Sequence, residues 1–189
     1  MLQQTVRAGI ATQTVNERTF AQVTVDTTVQ TKAIAHPTDS HLLMRAIERL
    51  NALAKKHGIK LRQSFIRVGR QAKRDVSRLI HGRGHSQAMR WVRKLRTWLG
   101  RLDRDIGRKI AGDEVLEAAF ADTRQKVTRI LAQKAGDGHK LYAFHAPEVE
   151  CLAKGKARTR YEFGVKTSIA VTNARTAGGQ FIVGMQALP

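Results

Sequence analysis

Cysteine, aromatic residues and long apolar runs are scarce in this sequence, and each scarcity excludes a class of protein. Cys151 is the only cysteine among 189 residues, which excludes an internal disulfide and a cysteine-based zinc site. Aromatic residues make up 5% of the chain, so a core has to be built mainly from Leu, Ile, Val and Ala. No apolar run approaches the roughly 20 residues of a membrane-spanning helix. The first residues, MLQQTVRAGIATQTVNE, lack the basic start and apolar block of a signal peptide. A bacterial-type cytoplasm or a nucleus fits these absences, secretion does not, and no membrane span is expected.

Positive charge is present in large excess, and the excess is concentrated in one segment. Residues 1–40 hold 3 basic and 3 acidic residues, residues 41–110 hold 20 and 4, and residues 111–189 hold 11 and 8, which accounts for the net charge of +19. The middle segment alone carries +16 and repels itself unless a polyanion or counterions compensate it. Contact with nucleic acid is the favoured interpretation. The alternatives are a solvated helix face, a membrane surface and an acidic protein partner.

Apolar residues at three- and four-residue steps predict four helices between residues 37 and 135. The first is expected to be capped by Asp39 or Ser40 and to end at Gly58. The third covers about residues 86–110, where Trp91 and Trp98 lie on the apolar stripe. Because of that spacing, we interpret both tryptophans as core residues, although an indole ring is also able to stack on a base.

A two-residue period predicts strands before and after these helices. In residues 23–30, VTVDTTVQ, valine alternates with polar residues, and Asp26 lies on the polar side. A further strand is expected where Phe163, Val165, Thr167, Ile169 and Val171 alternate onto one face, and another in QFIVGMQALP. Aspartate is depleted in strands because its short side chain competes for backbone groups. Asp26 therefore indicates either a turn or edge residue or a functional carboxylate.

Four segments together resemble bacterial insertion-sequence transposases of the DDE class. They are VDTTVQTKAIAHPTDSHLL, GIKLRQSFIRVGR, HAPEVECLAKGKARTRYEFGVKTSIA and FIVGMQALP, and they occur in matching order over nearly the whole chain. The resemblance implies an α+β fold: a partial RNase-H-like mixed sheet with a helical insertion after the first strand. It also implies a bacterial, nucleoid-associated protein that acts on DNA.

The resemblance gives Asp26 a role, since it matches the first Asp of the DDE triad. It implies that Asp26 is catalytic and a metal ligand. The metal would be Mg²⁺, because two such ions activate the attacking oxygen and stabilise the leaving one during DNA strand cleavage and transfer.

The other two acids of the triad have no match in this sequence. Glu148, Glu150 and Glu162 lie near the third segment but not at triad positions, and the first two are expected to be turn residues or partners of Lys154 and Lys156. We therefore expect the chain to be catalytically incomplete, an internal or truncated portion of a transposase in which Mg²⁺ binds weakly or not at all. A complementary transposase chain or a second copy in a homodimer would have to supply the missing acids.

Two basic regions are candidates for binding the DNA backbone, at transposon ends and target alike. The candidates in the helical region are Arg62, Arg67, Arg70, Lys73, Arg74, Arg90, Arg93, Lys94 and Arg96. Those in the segment AKGKARTRY are Lys154, Lys156, Arg158 and Arg160, which alternate and would lie on one side of an extended strand. A solvated edge that prevents sheet aggregation is the alternative for this second group.

These observations predict three regions and leave more than one function open. Residues 1–36 form a lead-in and the first core strand, residues 37–135 the basic helical insertion, and residues 136–189 the further core strands. The favoured function is the DNA-binding portion of a DDE transposase. The alternatives are a non-enzymatic basic nucleic-acid-binding helical module, including a transposase remnant or inhibitor, and a basic RNA-associated protein.

Overall fold

The computed structural model describes residues 2–81, 84–134, 136–153, 160–174, 176 and 179–188. The chain is α+β and divides into two compact units. One unit is helical and spans Ile34–Pro147, and the other combines Met1–Ala33 with Glu148–Pro189 and contains the sheet. Across the described residues, no helix has both the length and the apolar character that crossing a bilayer requires.

The helical unit contains α2 (Asp39–Lys56), α3 (Ile66–Leu79), α4 (His85–Ile110) and α5 (Glu114–Ala132). Its core is built on α4, whose Leu95, Leu99, Leu102 and Ile106 are at most 1% exposed. Burying one such side chain stabilises the fold by about 1.5–3 kcal/mol. Trp91 and Trp98 are partly buried and pack against this core, as the sequence predicted, so each ring is held by the helices that it contacts.

The ends of α2 show which local signals decide where a helix begins and stops. The N-cap is Thr38, whose hydroxyl accepts a hydrogen bond from the backbone N–H of His41 at 3.3 Å. The prediction of Asp39 or Ser40 as the cap was therefore wrong by one or two residues. The predicted stop at Gly58 is confirmed, because its φ of +68° lets the N–H of Ile59 reach the carbonyl of Ala54 at 2.8 Å.

The predicted boundary between helices and strands at residues 135 and 136 differs from the structure. Residues up to Pro147 belong to the helical unit, and Leu141 and Phe144 are buried in its core. The physical reason is that this segment is apolar enough to pack on the helices, although it forms no regular element of its own.

The sheet unit contains α1 (Leu2–Ala11), a 3₁₀ turn (Glu17–Phe20) and four strands. The strands are β1 (Val23–Thr31), β2 (Glu150–Ala153), β3 (Tyr161–Thr172) and β4 (Ile182–Ala187). β3 is central, with β1 along one side and both β2 and β4 along the other. All of these pairings are antiparallel, so the expected mixed sheet is not found among the described strands.

Strand β1 forms because seven of its nine residues are Val or Thr, which suit a pleated surface. Its pairing with β3 runs from Val23 opposite Thr172 to Thr31 opposite Gly164. Gly164 allows a close approach of the two strands, since a Cβ there would lie 2.2 Å from the carbonyl oxygen of Gln30. β1 has no second neighbour among the described strands and is therefore an edge of the sheet.

Candidate nucleic-acid interface

One face of α4 carries a continuous stripe of positive charge, which we call the α4 stripe. Successive residues of an α-helix are rotated by about 100°, so a stripe restricted to steps of three and four stays within an arc of about 100°. All members of the stripe are exposed. They are Arg90, Arg93, Lys94, Arg101, Arg104 and Arg108, with Thr97 as the one neutral position.

The acidic residues of α4 lie off the stripe and are already paired. Asp103 accepts hydrogen bonds from Arg124 of α5 at 2.9 and 3.4 Å. Asp105 accepts one from Lys109 at 2.8 Å. Within the described part of the chain, no carboxylate lies within ion-pair distance of any stripe residue except Arg108, which is 3.7 Å from Asp105. The field of the stripe is therefore nearly uncompensated.

Only half of this stripe was predicted from the sequence. Arg90, Arg93 and Lys94 were predicted, whereas Arg101, Arg104 and Arg108 were missed because charge density was considered instead of spacing. The signal was present in the sequence, since cations at steps of three, four and seven continue along the helix to Arg108. A helical projection of residues 85–110 would have shown it.

Arg96 was predicted to contact DNA, but its guanidinium group has structural partners. It donates hydrogen bonds of 2.8 Å to the backbone carbonyls of Ile130 and Gln133, at the end of α5. The last carbonyls of a helix lack partners within the helix, and a cation there also interacts favourably with the helix dipole. Arg96 thus ties α4 to the end of α5 and lies off the stripe.

The predicted cluster on α3 is partly engaged with neighbouring side chains. Arg70 donates two hydrogen bonds of 3.1 Å to Glu48 of α2, and Arg74 donates one of 2.6 Å to Gln71. Arg67 is exposed and without an ion pair among the described residues. The cluster therefore offers fewer free cations than the α4 stripe.

Lys73, the remaining member of the α3 cluster, lines a cavity of about 220 Å³ together with His41. The pKa of His41 is lowered, first by burial and then by the nearby positive charge of Lys73. A neutral imidazole next to this ammonium group leaves the cavity with less positive charge than its residue types alone indicate.

Arg62 lies in the loop before α3, next to the buried carboxylate of Asp105. The backbone N–H of Arg62 donates to Asp105 at 3.1 Å, and its guanidinium Nε lies 3.7 Å from the same carboxylate. The hydrogen bond from Lys109 lowers the pKa of Asp105, with burial acting in the opposite direction. Asp105 is therefore a buried anion that holds the loop and the C-terminal part of α4 together.

The second predicted basic group falls largely outside the described residues. Three of its members, Lys154, Lys156 and Arg158, lie outside the residues that the structure describes. Arg160 is exposed, and its guanidinium carbon lies 5.4 Å from the ring centroid of Tyr161. That distance fits a cation–π contact on the surface. The prediction that this group contacts DNA stays a prediction.

Asp26 lies in β1, as predicted, but the face that it occupies differs from the expectation. It is opposite Ile169 of β3, so it shares a face with the apolar side chains of that strand. The alternating valines lie on the other face, and Val25 is 62% exposed. The Asp26 side chain is exposed, and its Oδ1 accepts a hydrogen bond of 2.7 Å from the N–H of Thr27. Which face of β1 is covered depends on the register of its pairing with β3. The sequence pattern of β1 alone does not encode that register.

The glutamates after the helices match the expectation in part. Glu148 lies in a turn, as predicted, and forms an ion pair of 2.9 Å with Lys32, whereas Glu150 begins β2 instead of lying in a turn. Lys32 follows β1 directly, so antiparallel pairing of β1 and β3 brings it near the start of β2. Lys154 and Lys156 lie outside the described residues, so their predicted pairing with these glutamates stays a prediction.

The described residues do not assemble a complete two-metal site. Among them, no group of three His, Cys, Asp or Glu side chains is placed to hold a metal ion. Asp26 brings one carboxylate to its face of β1, where Thr24 and Thr28 are its polar neighbours on the strand. Holding two Mg²⁺ ions requires further carboxylates. The described residues therefore do not fit a pair of Mg²⁺ ions.

Part of this chain is similar to a known protein. Over 83 residues, which are 44% of this chain and 40% of the relative, it is 47% identical to an uncharacterized protein, ORF8 in the nfe locus, of Rhizobium meliloti. The aligned part thus covers about two fifths of the relative's length. No protein-family model and no solved structure matches the chain.

Proposed function

We propose that this protein binds duplex DNA by placing the α4 stripe along the phosphate backbone. The observation that carries the proposal is the row of exposed cations on α4, of which only Arg108 has a carboxylate within ion-pair distance among the described residues. Such a row repels itself in the free protein, and phosphates relieve that repulsion while their counterions are released. A solvated helix surface normally mixes both signs of charge, and this face does not.

The dimensions of the stripe suit a duplex. From Arg90 to Arg108 it is about 27 Å long at 1.5 Å per residue. Duplex DNA carries one negative charge per about 1.7 Å of its axis, so several phosphates lie within reach of a surface of this length. Contacts of this kind fix position and orientation but carry little sequence information. We therefore expect random and specific duplexes to bind with similar affinity.

Neutralising the N-terminal half of the stripe tests the proposal. In the variant Arg90→Gln/Arg93→Gln/Lys94→Gln, each lost contact is expected to cost about 0.5 kcal/mol. The affinity for a random duplex should then fall about tenfold. Fluorescence anisotropy with a labelled duplex at low salt measures this, and circular dichroism checks that helix content is unchanged.

The matched control removes the same charge from another surface. Arg49, Lys55 and Lys56 of α2 are exposed, and none forms an ion pair among the described residues. Replacing all three with Gln should leave the affinity within about twofold of the parent, since they lie off the stripe. An equal loss of affinity in both triple variants would show that only net charge matters and would refute the stripe as the interface.

The wider role that we propose is that of the DNA-binding portion of a DDE transposase. Support comes from the four family-like segments and from the order of elements, in which a basic helical unit lies between β1 with Asp26 and the remaining strands. On this proposal the sheet is part of an RNase-H-like core, and a second chain or copy adds carboxylates to Asp26 and so binds Mg²⁺. The protein would then act in the bacterial cytoplasm, at the nucleoid.

A non-enzymatic DNA-binding module is the second candidate, and the solitary carboxylate of Asp26 favours it. Purified protein with duplex DNA and Mg²⁺ or Mn²⁺ separates the two. Because one carboxylate does not hold two ions, we expect no strand cleavage by this chain alone. Cleavage that is present in the parent and lost in Asp26→Asn would contradict the incompleteness of the site.

A further inference from the structure

A groove with four arginines lies between the loop that precedes α3 and the C-terminal half of α4. Its volume is about 530 Å³, within the range of pockets that hold small ligands. We call its exposed cationic residues the rim and its less exposed apolar residues the floor. The rim consists of Arg62, Arg101, Arg104 and Arg108, and the floor of Phe65 and Leu102.

The single carboxylate of the groove organises these cations without neutralising them. Asp105 Oδ1 lies 3.7 Å from Arg62 Nε and 3.7 Å from an amino nitrogen of Arg108. Its other oxygen is engaged by Lys109. A guanidinium group has five N–H donors, so both arginines keep donors for a ligand while the buried carboxylate limits their movement. The rim therefore presents exposed guanidinium donors to an anion.

Phe65 has an unusual backbone conformation at the floor of the groove. Its φ of +55° and ψ of +8° are left-handed, which is an outlier for an aromatic residue. Its ring stacks on Trp98 with 6.0 Å between centroids and 11° between ring planes. Strained backbone of this kind persists where the surroundings enforce it, and it occurs often at ligand sites. The strain and the stacking together fix the ring at the floor.

We propose that this groove binds one nucleotide of a single DNA strand, with a phosphate on the arginines and the base against Phe65. An anion alone would use the rim but leave the apolar floor in water. A base in an intact duplex is stacked on its neighbours and does not reach the floor, whereas an unpaired base does. Aromatic rings bind unpaired bases of any sequence in this way. The inference rests on the proposed DNA binding and adds single-stranded DNA to its substrates.

Removing the bases tests the proposal without changing the protein. The probes are a labelled single strand of about ten thymidines and a strand of the same length built from abasic sites, which keeps every phosphate. The parent should prefer the thymidine strand by fivefold or more, because stacking on one aromatic ring is worth about that ratio. Equal affinity for the two strands would overturn the assignment of a base to the groove.

Two variants locate the preference in the groove. Phe65→Leu keeps an apolar floor and should abolish the preference for thymidine while leaving duplex affinity within about twofold. Arg62→Gln/Arg104→Gln should weaken both single strands. Retention of the full preference in Phe65→Leu would show that the bases bind elsewhere and would refute the inference.

The Arg90→Gln/Arg93→Gln/Lys94→Gln variant keeps the two proposals apart, because its substitutions lie outside the groove. Loss of duplex affinity in this variant, together with no thymidine preference in the parent, would refute the groove alone. Unchanged duplex affinity, together with a preference that depends on Phe65, would refute the stripe alone.

Discussion

Single arginines of this protein divide by what their guanidinium groups contact. Arg124 bonds to Asp103, which raises its pKa further, and Arg96 bonds to the carbonyls at the end of α5. Both connect α5 to α4. Arg101 and Arg104 have the same chemistry but no carboxylate within ion-pair distance among the described residues, and both are exposed. Composition cannot separate these two roles, since only the fold decides which arginines find a protein partner.

Gly164 is the glycine of the sheet at which an added Cβ would make the shortest contact. A Cβ at this position would lie 2.2 Å from the carbonyl oxygen of Gln30 and 2.9 Å from the Cα of Thr31. These are backbone atoms of β1, so the strands would have to separate. We expect Gly164→Ala to destabilise the β1–β3 pairing by about 2 kcal/mol or more, as overpacking does elsewhere. Amide hydrogen exchange of β1 measures this, with faster exchange expected in the variant.

A second glycine of the same sheet is the control. At Gly184 in β4, the nearest contact of an added Cβ would be the side chain of Ala170 at 3.4 Å, an ordinary van der Waals distance. Gly184→Ala should therefore leave β1 exchange unchanged. If the two variants exchange equally fast, the close approach at Gly164 is not what sets the stability of the pairing.

Helices and strands were predictable where the sequence signal is local. They were not predictable where the structure depends on residues that are distant in the sequence. The period of α2 and its stop at Gly58 follow from the sequence, because side-chain spacing and a left-handed glycine act within one helix. The alternation of β1 was also predicted. The face on which Asp26 lies was predicted wrongly, because its pairing with Ile169 is a long-range contact. Val115 shows the same limit in α5, since this apolar side chain at the start of the helix is 77% exposed.

The candidate site was predictable to a similar extent. The charge of α4 was evident, and the stripe was available from spacing, because a helix turns by a fixed angle per residue. The groove was not available from sequence, since it depends on the loop at Arg62 and Phe65 packing beside α4. The role of Asp105 was hidden for the same reason: a carboxylate within a basic segment looks like one charge among many until its burial is known.

Most of the buried core and most of the net positive charge lie in the helical unit. Among the described apolar residues that are buried, only Val15 and Val149 belong to the sheet unit. Val165, Ile169, Val171, Phe181 and Val183 of the sheet unit are half-buried. Exposed apolar surface next to a free strand edge favours association. We therefore expect the sheet unit to associate at high protein concentration.

The salt dependence of duplex binding reports how many phosphates contact the α4 stripe. The logarithm of affinity falls linearly with the logarithm of salt concentration, with a slope of about −0.9 per phosphate contacted on duplex DNA. The parent should show a steep slope, and Arg90→Gln/Arg93→Gln/Lys94→Gln should flatten it by about 2.7, one contact for each cation removed. The α2 control triple should keep the parent slope. A stripe variant whose slope equals that of the parent would contradict the account, because its three cations would then contact no phosphate.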